Sequence, residues 1–195
     1  MIDLSFAEKT YIPKGKTIQK KINHNSNLKS NFSIKLKNIS EMLNRNYTLN
    51  VGWFDNNKYP NGTEIGDIAK LQEYGGLGEN DNEIPARPFV RPAIALNSNK
   101  WRNKILQDIK KEIKNGNISY FNSIFKKLGE EVKKDIQKSI QDVYEPPLAD
   151  YTINMRMEKR GIKNFENSNV ETMQELMKPL IDTGKMIESC DYKVS

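Results

Sequence analysis

The chain has 195 residues but only one cysteine and one histidine. A lone thiol, Cys190, cannot form a disulfide within the chain, which suits a reducing compartment. A lone imidazole, His24, leaves no material for a zinc cluster, an HExxH helix, or a Cys-His or Ser-His-Asp arrangement built on an ordered histidine. Long apolar runs are missing too. Nothing approaches the ~18 apolar residues of a membrane span, and Met1-Ile2-Asp3-Leu4-Ser5-Phe6 shows no basic stretch followed by an apolar core. The expectation is a soluble chain made in the cytoplasm, with no membrane partner.

What remains is polar but patterned. Hydrophobic residues make up 36% and the mean hydropathy is -0.75. A core of ~150 residues buries roughly 70% of the surface its unfolded chain exposes, so it needs no covalent staples. The net charge is +6, unevenly placed: residues 1–45 hold nine basic and three acidic side chains, while the rest carries 22 of each sign. A nucleic-acid-binding domain ordinarily carries its basic face on the folded core. Here the surplus lies in the N-terminal segment. Residues 1–32, with Pro13, Gly15 and scattered Lys and Asn, read as a flexible basic arm with little independent structure. Lys14, Lys16, Lys20 and Lys21 are its candidate contacts with a partner. Lys14-Gly15-Lys16-Thr17 lacks the upstream glycine and apolar strand of a phosphate-binding loop.

Residues 33–195 read as one α+β domain, a small antiparallel sheet packed with two long helices. Helical spacing marks 33–45. Tyr47, Leu49, Val51 and Trp53 alternate onto one face of a strand over 47–54. Thr63 can cap a short helix carrying Ile65, Ile68, Ala69 and Leu71, which Gly75-Gly76 ends. Residues 77–83 read as a polar loop. Trp101, Ile105, Ile109 and Ile113 recur every four residues in a helix from Pro92 to about Lys114, with Lys110, Lys111 and Lys114 at its negative end. A second long helix over about 118–143 carries Phe121, Ile124, Phe125, Leu128, Val132, Ile136, Ile140 and Val143 in steps of three or four. Gly129 interrupts that helix, and Glu130 with Lys134 makes an exposed i,i+4 pair. Pro146-Pro147 ends it. A short helix follows at 151–160, then a polar irregular stretch at 161–177, another short helix, and a strand at 189–194. The two strands, at 47–54 and 189–194, are expected to pair.

Little in this pattern is reactive. Asp55, Glu64, Asp67 and Glu73 could converge on a metal, but their spacing matches no known ligand set. The most unusual chemistry is Ile84-Pro85-Ala86-Arg87-Pro88-Phe89-Val90-Arg91-Pro92. Pro85, Pro88 and Pro92 forbid a central strand or helix interior and make a stiff connector. Phe89 is expected to be buried, with Arg87 and Arg91 holding carboxylates or carbonyls and serving as structural or interface residues.

Tyr59-Pro60-Asn61-Gly62-Thr63, Ile68-Ala69-Lys70-Leu71-Gln72-Glu73-Tyr74-Gly75 and the connector together resemble the virion morphogenesis proteins of Mu-like and related tailed phages. Asp135-Ile136-Gln137-Lys138-Ser139-Ile140, Pro146-Pro147-Leu148 with Thr152, and Lys178-Pro179-Leu180-Ile181-Asp182-Thr183-Gly184-Lys185-Met186 extend the likeness in the same order. It covers about 46 to 195; the arm lies outside it, and 161–177 is longer and less patterned than in that family. The resemblance implies a structural protein of the head–tail junction, a neck, tail-completion or tail-terminator component. Such a protein would be made in the host cytoplasm and end in the virion. It would form a hexameric or dodecameric ring around the DNA channel, touching tail-tube or head-connector proteins and DNA, with no cofactor and no catalytic role. The alternatives are a nucleic-acid-binding protein that uses the basic arm, and a metal-dependent hydrolase built on the four acids.

Overall fold

The computed structural model describes residues 2–3, 33–34, 36–41, 44, 47–55, 57–78, 82–115, 121–163 and 169–195. Most of the basic arm, including Lys14, Lys16, Lys20, Lys21 and His24, lies outside them. The described part of the arm is β1 (Ile2–Asp3), which pairs antiparallel with β2 (Leu49–Gly52), Ile2 opposite Val51. These two residues depart from the expected unstructured arm. Residues 33–34 and 36–41 take the expected helical form.

The fold is α+β. Strand β2 forms the middle of a three-stranded sheet, with β5 (Asp191–Val194) on its other side, Leu49 opposite Val194 and Gly52 opposite Asp191. Thr48 and Ser195 extend the pairing with two mutual backbone hydrogen bonds of 2.8 and 3.0 Å. The expected pairing of the two strands therefore forms, over a shorter length. Alternation behaves as period two requires: Leu49 and Val51 are both buried.

Helix α1 (Ile65–Tyr74) follows, and its first residue is preceded by Glu64, not capped by Thr63. Gly75 ends α1 with φ of 72° and ψ of 177°, a positive-φ conformation that only glycine adopts without strain. The polar loop expected at 77–83 is instead part of a small hairpin, β3 (Gly76–Leu77) against β4 (Glu83–Ile84). Two residues per strand are too few to show a hydrophobic period, which is why the sequence hides it.

The two long helices are α2 (Val90–Asn115) and α3 (Phe121–Gln141). They run antiparallel, and α3 packs on α2, β2 and β5. Phe121, Ile124, Leu128, Val132, Ile136 and Ile140 are all buried along one face of α3. Full burial of each such side chain contributes roughly 1.5–3 kcal/mol relative to exposure, so this stripe is the main source of core stability. Gly129 lies within it for a reason: a Cβ there would stand 2.4 Å from the Tyr192 ring of β5. The close approach is between helix and strand. Among the described residues no ion pair joins Glu130 to Lys134 as the spacing suggested. Polar groups join the two helices as well: Trp101 Nε1 donates to Asp135 Oδ2 at 2.7 Å, and Lys100 and Lys104 reach Glu131.

Three short helices complete the chain: α4 (Asp150–Lys159), α5 (Val170–Met177) and α6 (Lys185–Glu188). The irregular stretch expected at 161–177 thus contains a helix, started by the Asn169 side chain accepting from the Thr172 N–H at 2.8 Å. Buried Arg156 of α4 donates to the carbonyls of Leu176, Lys178 and Pro179 and so ties α5's end to α4. Helix α6 is held by Trp53 Nε1, which donates to the Met186 carbonyl at 2.7 Å, and by Gln137 Nε2, which donates to that of Ile187 at 2.8 Å.

Cys190 is completely buried between α6 and β5, and burial pushes its thiol up to about 12. Native protein at pH 8 should therefore not react with an aromatic disulfide reagent, while denatured protein should react with one equivalent. Fast stoichiometric labelling of the native state would show that the C-terminal strand opens freely.

Candidate functional site: the proline-arginine connector

The connector is built around a carboxylate in an unusual place. Ile65, Ala69 and Glu73 are the buried residues of α1, spaced four apart on one face. The third inward position is therefore an acid, and Glu73 is only 3% exposed. Its Oε2 accepts the backbone N–H groups of Phe89 at 2.6 Å and Val90 at 2.8 Å; its Oε1 accepts that of Arg91 at 3.1 Å. These are the donors that the first turn of α2 leaves without an intrahelical partner. The next residue is Pro92, which has no N–H to satisfy. Ala93 N–H then makes the first bond of the helix, to the Phe89 carbonyl at 3.3 Å. Glu73 and Pro92 together leave no donor stranded at the start of α2.

Charge reinforces this geometry. The positive end of the α2 dipole faces the carboxylate, and Arg91 Nε donates to Glu73 Oε1 at 2.8 Å. Arg91 Nη2 also donates to the Glu73 carbonyl at 2.8 Å, and its guanidinium stacks 4.9 Å from the Tyr74 ring centre. Burial alone raises the Glu73 pKa, but the three backbone N–H groups and Arg91 outweigh it, holding the carboxyl below the usual carboxylate value.

Arg87 works differently. It is buried, and its guanidinium meets carbonyls: Nε donates to Pro146 O at 2.8 Å and Nη2 to Pro147 O at 2.9 Å. Its backbone N–H donates to Gln72 O at 2.7 Å. Desolvation lowers its pKa without removing its charge. The fork thus ties the connector to α1 and to the turn after α3. Phe89 is fully buried, edge-on to Trp53 with ring centres 5.7 Å apart. Its carbonyl also accepts the Ser139 hydroxyl at 2.6 Å. Pro85 is exposed, and Pro88 and Pro92 are half-buried. At Gly75 a Cβ would stand 2.8 Å from Ala86 N, so the connector lies directly against the end of α1.

Arg87, Phe89 and Arg91 are therefore brought together, but two of the three face inward. Arg87 and Phe89 act within the subunit, Arg87 on carbonyls and Phe89 in the core, which are the contacts expected of them. Asp55, Glu64, Asp67 and Glu73 all line one groove of about 500 Å³ between β2, α1 and the start of α2. They form no metal-binding cluster: among the described residues no group of three or more His, Cys, Asp or Glu side chains could hold a metal ion. Glu73 uses both oxygens on α2, and Glu64 pairs with Lys58 at 3.4 Å. Sequence reasoning missed the capping role of Glu73. Its signal was an acid falling eight residues after Ile65 on an otherwise apolar face. The acceptors of Arg87 are backbone carbonyls and left no signal.

A scan against models of protein families, a search among curated proteins and a search among solved structures each found no match to this chain.

Replacing Glu73 by Gln should cost about 1–3 kcal/mol at pH 7, because the amide cannot accept all four hydrogen bonds. A carboxyl with a lowered folded-state pKa stabilises the fold above its unfolded value of about 4.3 and loses that effect as pH falls through the folded value. The wild-type advantage over Glu73→Gln should therefore shrink as pH drops below about 4.3. A gap independent of pH in denaturant titrations would mean that the ionised form is not what caps α2.

Phe89→Ala should cost about 3–5 kcal/mol, as expected for a fully buried aromatic ring. A thermal unfolding midpoint close to wild type would contradict the packing described above.

Proposed function

We propose that this chain is a structural component of a phage head–tail junction, acting by assembling around the DNA channel and not by catalysis. The supporting observation is the way the resembling segments fold together. Gln72-Glu73-Tyr74-Gly75, the connector at 84–92, Ser139 and Pro146-Pro147 are distant in sequence. They meet in one hydrogen-bonded unit. The residues that carry the resemblance thus fix how α1, α2 and α3 meet. In this reading the connector sets the angle at which the long helices project, and the exposed flank makes the contact with neighbouring subunits. Arg91 stacked on exposed Tyr74 lies there, and exposed apolar side chains stand close by in the chain, Leu77 on β3 and Leu96 on α2. Aromatic and arginine residues with adjoining apolar surface are common anchors of interfaces.

The test separates folding from assembly. A Leu77→Ser, Leu96→Ser double variant should unfold at nearly the wild-type temperature, since the two side chains are 68% and 81% exposed. It should fail to form the large species that wild type forms in light scattering and electron microscopy. In a phage carrying this gene, its deletion should leave separate heads and tails, and the wild-type gene should restore joined particles. Joined, infectious particles without the gene product would refute the proposal.

A further inference from the structure

The folded core is neutral by count, but the fold separates its charges. Helices α2 and α3 form an antiparallel pair, so the end of α2 and the start of α3 lie side by side. Between residues 109 and 127 the chain has five lysines and one acid, Glu112. Lys110, Lys111 and Lys114 lie in the last six residues of α2, and Lys126 and Lys127 in the first seven of α3. At 1.5 Å per residue all five fall within about 10 Å, along the helix axes, of the same end of the pair. All five are exposed, and none has an ion-pair partner among the described residues. Most lysines elsewhere on these helices are neutralised, Lys134 of α3 excepted: Lys100 and Lys104 by Glu131 and Asp135, Lys133 by Asp191, Lys138 by Asp142. Nor does α3 carry an acid in its first turn.

The N-terminal segment is attached at this same end. Tyr47 stacks on Phe121 and Phe125 of α3, with ring centres 6.3 and 5.1 Å apart. Strand β1 runs antiparallel to β2, so the chain leaves Asp3 heading toward the Tyr47 end of the sheet. Both points of attachment of residues 4–46 therefore lie toward the lysine-bearing end, and that segment contains nine basic residues and two acids.

We propose that this pole, with Lys110, Lys111, Lys114, Lys126 and Lys127 on the folded core, is a binding surface for the phosphate backbone of duplex DNA. Flexible ammonium groups suit phosphate contacts that do not depend on sequence. The exposed aromatic side chains of the described residues, Tyr74, Tyr144 and Tyr151, lie away from this end, on α1, after the end of α3 and on α4. The pole thus lacks, among the described residues, the stacking platform that single strands require. The surface needs no ring, so it stands or falls separately from the proposed place at the head–tail junction.

The experiment uses the full chain and two duplexes of unrelated sequence and equal length, with binding read by fluorescence anisotropy across a salt series. Wild type should bind both duplexes equally, with an affinity that falls steeply with salt. A variant with all five lysines changed to Gln should bind roughly tenfold more weakly, or worse, in low salt. Every phosphate that is no longer neutralised lowers the slope of log affinity against log salt by about 0.9, so its slope should be shallower by roughly 2–4. A second variant, with exposed Lys58, Lys70, Lys138, Lys159 and Lys163 changed to Gln, removes the same charge from other surfaces and should keep most of the wild-type slope. Equal weakening in the two variants would reduce the effect to net charge and overturn the proposal. So would an unchanged slope in the first variant. Tighter binding of wild type to polyglutamate or to anionic phosphatidylserine vesicles than to duplex would assign the surface to another partner and overturn it as well.

Discussion

The geometry of this protein depends on one buried carboxylate. Glu73 projects from the last turn of α1 into the start of α2 and accepts the N–H groups that a helix beginning inside a protein would otherwise leave unpaired. A buried donor without a partner costs about as much as several good contacts provide. The 26-residue α2 can therefore begin against the core only where such an acceptor waits. Pro92 removes one donor and fixes the backbone for the first turn, so a single side chain suffices. Arg91 closes the arrangement from outside, and Phe89 anchors it from within through Trp53.

Arginines complete the architecture by holding a turn and a helix end. Arg87 binds the Pro146 and Pro147 carbonyls, and Arg156 binds those of Leu176, Lys178 and Pro179. A planar fork with five donors can satisfy several converging carbonyls at once, which an ammonium on a flexible stem does less well. Prolines supply carbonyls without competing N–H groups, so an arginine facing a Pro-Pro turn finds acceptors that no backbone ladder claims. The result is a rigid link between the helical pair and the short helices near the C-terminus.

This rigidity bears on the proposed role. A protein that works by assembly needs surfaces held at fixed angles, and ordering that is already complete in the subunit costs nothing further on association. The connector flank and the lysine-bearing pole also lie at opposite ends of the α2–α3 pair. One chain could thus meet neighbouring protein through one end and a polyanion through the other.

Much of the fold was legible in the sequence because periodicity is a local property. The α3 stripe from Phe121 to Ile140, the alternation of Leu49 and Val51, and the glycine stop at Gly75 each follow from residues a few positions apart. The pairing of β2 with β5 followed from two short strands that needed partners. The hairpin of β3 and β4 was missed because its strands are too short to show a period, and the helix α5 because its apolar spacing, Val170, Met173, Leu176 and Met177, lasts only two turns behind a polar stretch. The site was half legible: the prolines announced a stiff connector, and Phe89 announced a buried anchor. By itself the sequence determined which segments would be helix or strand and which faces would turn inward, since propensity and burial patterns are written in neighbouring residues. Only the tertiary structure decided that Glu73 caps α2, that Arg87 faces inward, and that five lysines share one pole. Those facts depend on backbone carbonyls and N–H groups that nearly every residue possesses, and on which ends of antiparallel elements come to lie side by side.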